Sequence, residues 1–266
     1  MNKLFLLQKI KLDRRFIPFL LLLIFCFFVY LPGIAELPVI DRDEAHFAQA
    51  TKQMLQSGNF FQIRFQDQTR FRKPPGINWL QALSVKLWSS ADSIAIWPYR
   101  LPSTFGATCS VLLIYFFASR FSSRKTAFLA AMMLASSLLL VTEAHMAVID
   151  ASLLLTVVIM QGALWLIWND KQRSGVQYFL WLIFFWLALS AGLVLKGVTA
   201  LVAILSIITL SIWEKDWRWL KDLHVFYGLI FVAGITFCWL YFVNQAEHSN
   251  YLWQMLHRDL LPKLQG

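Results

Sequence analysis

Charged residues are scarce in this chain. Of its 266 residues only 15% are Asp, Glu, Lys or Arg, whereas 58% are hydrophobic. Soluble domains usually carry about 25% charged residues, so the composition excludes a soluble globular protein and indicates an integral membrane protein. Cysteine is scarce as well. Cys26, Cys109 and Cys238 lie in apolar segments without C-x-x-C spacing, which excludes a disulfide framework and favours small buried side chains.

The net charge of +9 results from 24 basic and 15 acidic residues. No basic stretch interleaved with aromatic residues lies outside the apolar runs, so we exclude nucleic acid as a partner. In membrane proteins Lys and Arg collect in the cytoplasmic loops. The basic residues therefore indicate orientation rather than a ligand.

Apolar runs suited to crossing a bilayer recur along the chain. A spanning helix needs about 20 predominantly apolar residues. The runs predict an all-α polytopic membrane protein with about seven transmembrane helices in one membrane domain, residues 1–266. The predicted spans are 16–32, 101–118, 126–142, 150–168, 178–195, 197–213 and 224–243.

Basic residues lie in alternate connections between these spans. Thirteen lie on one side, whereas the short loops of the other side contain only Lys196, at a helix end. This bias predicts an inner-membrane protein with its N-terminus in the cytoplasm. The thirteen are Lys3, Lys9, Lys11, Arg14, Arg15, Arg120, Arg124, Lys125, Lys171, Arg173, Lys215, Arg218 and Lys221.

A long loop, residues 33–97, then lies on the outer, periplasmic side. We expect it to be structured, with one helix over 41–57 that ends at Gly58 and an amphipathic helix over 74–88. Structured loops of this length are usually functional. Residues 244–266 begin a further periplasmic segment that stops at Gly266.

Polar residues cluster at the outer ends of the spans, beginning with an acidic group after the first. Asp41 and Glu44 have the spacing of a capping box, which would explain both as a helix start. Asp43 has no such structural role. Paired carboxylates could instead serve as a general base or as ligands for a divalent cation.

A basic group precedes the second outer helix. Arg70, Arg72 and Lys73 stand directly before Pro74, and proline is favoured in the first turn of a helix, where free N–H groups attract anions. Phosphate would suit such a site. The alternative is a basic patch against lipid head groups.

The remaining polar residues lie in two short outer connections. Asp150 could bind substrate or simply cap the fourth span, and His145 alone is weak evidence for a metal ligand. Lys196 interrupts a long apolar run, where it could hold an anion or only extend towards the membrane surface. All these residues lie at span ends rather than at the midplane, which disfavours a transporter.

Together these residues resemble the integral-membrane glycosyltransferases of the GT-C superfamily. The likeness is in particular to the aminoarabinose-transferase-like and protein-mannosyltransferase-like branch (glycosyltransferase family 39 type). The Lys-Pro-Pro motif is the most specific part. The matching segments are Asp43-Glu44, Lys73-Pro74-Pro75-Gly76-Ile77-Asn78-Trp79, Tyr99-Arg100-Leu101-Pro102-Ser103, Asp150 and Lys196-Gly197.

The resemblance implies sugar transfer from a polyprenyl-phosphate carrier, with inversion, to an acceptor at the periplasmic face, such as lipid A, lipopolysaccharide or another glycan. Asp43 would be the principal catalytic carboxylate, with Asp150 completing the site. Lys73, helped by neighbouring basic residues, would bind the donor phosphate. The other residues assigned to the phosphate are Arg70, Arg72 and Lys196, and those assigned a supporting role are Glu44 and His145.

Two departures from the family pattern matter. In aminoarabinose transferases an acidic residue associated with metal binding precedes the motif lysine, whereas Arg72 stands there in this chain. Arg72 therefore weakens the assignment of a bound divalent metal, and the sequence leaves that assignment undecided. Such enzymes are also about twice as long, so the chain resembles their N-terminal half, and a separately encoded C-terminal half could be its partner. The alternatives are a non-catalytic remnant or partner subunit and, less favoured, a transporter or flippase.

Overall fold

The computed structural model describes residues 16–69, 73–170, 174–197, 199–247 and residue 253. Within these ranges the regular secondary structure is α-helical apart from one short hairpin, β1 (Arg64–Phe65) and β2 (Gln68–Thr69), and a single 3-10 turn, Arg218–Leu220. The α-helices are α1 (Ile17–Tyr30), α2 (Arg42–Ser57), α3 (Gly76–Trp88), α4 (Trp97–Ala118), α5 (Arg124–Ala135), α6 (Leu138–Ala144), α7 (Asp150–Asn169), α8 (Val176–Leu195), α9 (Thr199–Glu214) and α10 (Val225–Glu247).

The two helices predicted in the long loop are confirmed. The Asp41 side chain caps α2 by accepting hydrogen bonds from the backbone N–H groups of Asp43 and Glu44. Gly58 ends the helix in the left-handed conformation, φ 69°, which glycine adopts without steric penalty. The second helix, α3, begins immediately after Pro75.

The all-α membrane architecture is confirmed, but the count of seven spans is not. Among the described residues four helices are long and apolar enough to cross a bilayer, or five if one bent pair forms a single span. The predicted first and sixth spans correspond to α1 and α9, which are shorter apolar helices. The last helix extends to Glu247, and most of the predicted segment 244–266 lies outside the described residues.

The predicted span 126–142 is not one straight helix. It divides into α5 and α6, which meet at an angle of 60°. Two serines explain the break. Ser136 donates from its hydroxyl to Met132 O, and Ser137 caps α6 by accepting from the Leu140 N–H, and such side-chain bonds to the backbone compete with a continuous helix.

The helices pack around two hydrophobic clusters. One joins α1, α4, α5 and α6, and the other joins α7 and α8 with the segment that follows α9. Helices α4 and α7 connect the two clusters, and their approach depends on glycine. A Cβ atom at Gly106 would lie 2.8 Å from Ala151 O, and one at Gly162 would lie 2.3 Å from the Phe117 ring.

A third close contact fixes the outer helices on the bundle. A Cβ atom at Gly76, the first residue of α3, would lie 2.6 Å from Val194 O near the end of α8. Beside this contact Phe47 of α2, Ile77 of α3 and Leu195 of α8 share one buried cluster. The start of α2, the start of α3 and the end of α8 therefore meet.

Candidate active site

The first polar pair of this region joins α2 to the start of α3. The Lys73 ammonium lies 3.0 Å from Asp43 Oδ2 and 4.8 Å from the centre of the Phe47 ring. Both members of the pair are partly exposed. His46, one turn further along α2, places Nδ1 3.9 Å from the other Asp43 oxygen. Asp43 and Lys73 therefore form an ion pair between α2 and the segment that leads into α3.

A second pair joins the first residue of α7 to the end of α8. Lys196 Nζ donates to Asp150 Oδ1 at 2.9 Å, and both side chains are exposed. The alternative that Asp150 caps α7 is wrong, because Ile149 occupies the cap position and no side chain there bonds to the helix N–H groups. Lys196 forms an ion pair rather than only extending towards the membrane surface.

The carboxyl group of Glu143, at the end of α6, connects the surroundings of the two pairs. It interacts electrostatically with Asp150, Asp41 and Lys196. One of its oxygens, Oε2, is buried without a hydrogen-bond partner among the described residues. The Asp150–Lys196 pair and the start of α2, where Asp43 lies two residues after Asp41, therefore face the same carboxylate.

Glu44 has a different role from the one its spacing suggests. Asp41 caps α2 as predicted, but the expected return bond of the capping box is wrong, because both Glu44 oxygens are occupied elsewhere. Arg100 donates from Nε to Glu44 Oε1 at 2.7 Å and from Nη2 to Oε2 at 3.2 Å. The Ala147 N–H donates to Oε1 at 2.9 Å, and each charged side chain is only 1% exposed.

The His145 ring is bound to the backbone. Its Nδ1 lies 2.7 Å from Val141 O, and its Nε2 lies 3.0 Å from Pro32 O. The ring thereby ties the end of α6 to the segment after α1. Neither ring nitrogen is therefore directed at a ligand, and the supporting role of His145 stays a prediction.

Two predicted phosphate ligands, Arg70 and Arg72, lie outside the described residues. Within the described part of the chain, no group of three or more His, Cys, Asp or Glu side chains is arranged to hold a metal ion.

A cavity of about 990 Å³ lies below this region, between α1, α3, α4, α7, α8 and α10. Its walls include Gly76, three residues after Lys73, and Leu195, directly before Lys196. Most of the lining is apolar, and the hydroxyl groups in it donate to backbone carbonyls instead of pointing free into the space. These hydroxyl residues are Ser84, Thr104, Thr108, Ser152, Thr156 and Ser190.

Sequence reasoning did not assign a role to the buried polar residues beneath the site. Arg100 entered only as part of a motif, and Gln81 and Thr51 were not singled out. A sign was available for α3, since Asn78 and Gln81 lie on the same helical face as the apolar Ile77 and Val85. Polar groups on such a face need partners when they are buried.

Comparison with known proteins identifies the family. Residues 72–242 match the family described as dolichyl-phosphate-mannose-protein mannosyltransferase. The chain belongs to this family. Its predicted membership of the GT-C glycosyltransferases is therefore confirmed, and the chain is a multi-pass membrane protein.

Three relatives illustrate how far the likeness extends. The undecaprenyl phosphate-alpha-4-amino-4-deoxy-L-arabinose arabinosyl transferase of Erwinia tasmaniensis is 31% identical over 213 residues, which are 77% of this chain and 36% of the relative. The crystal structure of ArnT from Cupriavidus metallidurans in the apo state has a TM-score of 0.77 at 20% identity, over 86% of this chain and 42% of ArnT. The same protein bound to undecaprenyl phosphate has a TM-score of 0.75 at 20% identity, over 89% and 44%. The chain thus spans less than half the length of these relatives.

Proposed function

We propose that this chain carries the donor site and the catalytic carboxylate of a membrane glycosyltransferase, which moves a sugar from a polyprenyl-phosphate donor to a lipid or glycan acceptor of the cell envelope. One observation carries the proposal. An apolar cavity is bordered by Leu195, directly before Lys196, and by Gly76, three residues after Lys73. A polyprenyl phosphate is complementary to this arrangement, because its hydrocarbon chain suits the apolar cavity and its anionic phosphate suits the two lysines.

The donor phosphate would compete with carboxylates for the lysines. Without donor, Asp43 neutralises Lys73 and Asp150 neutralises Lys196. A phosphate that binds between the lysines attracts both ammonium groups, which weakens the contact of Lys73 with Asp43 and that of Lys196 with Asp150. The donor therefore helps to free the base that the reaction needs.

The transfer step follows from the residues present. Asp43 accepts the proton of an acceptor hydroxyl or phosphate while the acceptor oxygen attacks the anomeric carbon. The bond between that carbon and the phosphate oxygen breaks, and polyprenyl phosphate leaves with the electron pair. Lys73 and Lys196 stabilise the charge that develops on the leaving oxygen. Attack opposite the leaving group inverts the anomeric carbon.

Replacing Lys73 with methionine tests donor binding. We expect Lys73→Met to weaken binding of undecaprenyl phosphate by roughly 10-fold or more, because a charge-assisted bond contributes about 1.5–3 kcal/mol. Native mass spectrometry of the purified protein with undecaprenyl phosphate and with undecaprenol measures this. Undecaprenol, which lacks the phosphate, should bind the variant and the wild type equally.

Lys86→Met is the matched control for this test. Lys86 lies in the last turn of the same helix, α3, with its ammonium 4.5 Å from the centre of the Phe60 ring. The control should bind undecaprenyl phosphate as the wild type does. Equal losses in Lys73→Met and Lys86→Met would refute the assignment of Lys73 to the phosphate.

We further propose that the protein lies in a bacterial inner membrane with the site on the periplasmic side. The one-sided distribution of lysine and arginine in the short connections supports this orientation. Alkaline phosphatase fused after Gln66, in the β1–β2 turn, should be highly active because the enzyme requires the periplasm. Activity confined to fusions after Arg120 would reverse the orientation and place the site in the cytoplasm.

The relatives are longer than this chain, and the part of them that it does not match suggests a partner protein. The match covers 36% of the Erwinia tasmaniensis relative. We propose that a C-terminal half of the same kind, encoded separately, completes the acceptor side of the site. Co-purification of the chain with the product of an adjacent gene would test this pairing.

A further inference from the structure

The backbone of Ala147 is held from two sides by buried side chains. Its N–H donates to Glu44 Oε1 of α2 at 2.9 Å, and its carbonyl accepts from Gln81 Nε2 of α3 at 3.0 Å. Ala147 itself is fully buried. Both backbone polar groups of this one residue are therefore bonded to side chains instead of to a helix or sheet.

The two side chains that hold Ala147 are themselves fixed. The Thr51 hydroxyl donates to Gln81 Oε1 at 2.7 Å, which orients the amide so that its NH₂ group faces Ala147. Thr51 in turn accepts from Asn78 Nδ2 at 2.9 Å. On the other side, Arg100 holds both oxygens of Glu44. We call Thr51, Gln81, Glu44, Arg100 and the Ala147 backbone the Ala147 clamp.

The Ala147 clamp lies close in sequence to three residues of the proposed active site. Glu44 adjoins Asp43, and Ala147 precedes Asp150 by three residues. Gln81 belongs to α3, which begins three residues after Lys73. The clamp therefore connects the three segments that carry the proposed base, the phosphate ligand and the second acid.

Hydrogen bonds of this kind constrain more than apolar packing does. An apolar side chain at position 81 could fill the same volume, but it would allow α3 to slide or rotate against the segment 145–149. Directional bonds to the N–H and to the carbonyl of one residue fix the register and the rotation together. A buried network in which these bonds are all formed also favours one unique arrangement.

We propose that Gln81 is a positioning residue for sugar transfer, which sets the distance between the Asp43–Lys73 and Asp150–Lys196 pairs by holding Ala147. This inference rests on the proposed function. It predicts that loss of the amide moves the reacting groups without removing any of them. A displacement of about 1 Å can lower a rate by about 100-fold, whereas the affinity for the lipid chain depends on the cavity and should not change.

The test compares Gln81→Leu with the wild type in the intact protein, together with any partner chain. We expect kcat for sugar transfer to fall roughly 10- to 100-fold, with KM for the lipid-phosphate donor within about threefold. Hydrogen exchange measured by mass spectrometry should be faster in the peptide that covers residues 145–149. An unchanged kcat would overturn the inference, as would a proportional rise in KM without a fall in kcat.

Gln53→Leu is the matched control. Gln53 is a second glutamine that bonds through both ends of its amide, to the N–H and the carbonyl of Gln66 in the exposed hairpin. Its loss should leave both kcat and the exchange of residues 145–149 unchanged. If both glutamine variants lower kcat equally, the effect is general and the inference fails.

The test also covers two other outcomes: a Gln81→Leu variant that is not produced, and a wild type that transfers no sugar. If Gln81→Leu does not accumulate in the membrane, Thr51→Val decides, because it removes only the hydroxyl that orients the amide and should lower kcat in the same direction. If the wild type transfers no sugar, the proposed function fails. The claim that Gln81 holds Ala147 in place is then tested by hydrogen exchange alone, and unchanged exchange of residues 145–149 in Gln81→Leu overturns it.

Discussion

Asp43→Asn should abolish sugar transfer while the protein stays folded and keeps its donor. A general base typically contributes about 10²–10⁴-fold to the rate, and asparagine keeps the shape of the side chain without the ability to accept the proton. The Asp43–Lys73 pair is partly exposed, so its loss should affect the stability little. Lys73 would then be more available to the phosphate, so we expect kcat to fall while KM for the donor does not rise.

Mass spectrometry of the envelope glycolipids measures this effect in cells, and immunoblotting of membranes checks the amount of protein. Asp41→Asn is the control, because Asp41 is two residues away and serves as the helix cap. Asparagine caps helices as well as aspartate does, so this variant should keep full activity. An unchanged glycolipid spectrum in Asp43→Asn would instead favour a non-catalytic member of the family.

The site could be predicted from the sequence wherever the signals are local. The Asp41 cap, the Gly58 terminator and Pro75 define α2 and α3 within a residue or two of the observed ends. The resemblance assigned Asp43 and Lys73 to one site, and the two side chains lie 3.0 Å apart. The chemical types of these residues were informative because ionisable groups are rare in so apolar a chain.

The contacts that hold the site together could not be read from local patterns. Glu44 has the spacing of a capping box, yet its partner Arg100 is 56 residues away. The buried ion pair with Arg100 is stronger than the hydrogen bond that Glu44 could form at the start of its own helix. Lys196 and Asp150, 46 residues apart, were both assigned to the site but not to each other. The bend between α5 and α6 depends on two serines that look unremarkable within an apolar run.

The largest effect on stability should come from Arg100. Its five N–H groups donate to Glu44 and to three backbone carbonyls, those of Ile34, Leu37 and Pro38. The side chain is among the largest that are fully buried in the described part of the chain. In Arg100→Met the Glu44 carboxylate stays buried without its partner, which costs about 3–5 kcal/mol. Thermal unfolding of the purified protein in detergent should therefore shift to a clearly lower temperature.

Two further variants separate the charge from the packing. Arg124→Met replaces an exposed arginine at the start of α5 and should leave the unfolding temperature unchanged. The double variant Glu44→Gln/Arg100→Met removes both buried charges, so it should be more stable than Arg100→Met alone although it contains one more substitution. If the double variant is less stable than the single one, the buried charge is not what destabilises Arg100→Met. The loss would then come from the three carbonyls of residues 34–38, which Arg100 holds against the start of α4.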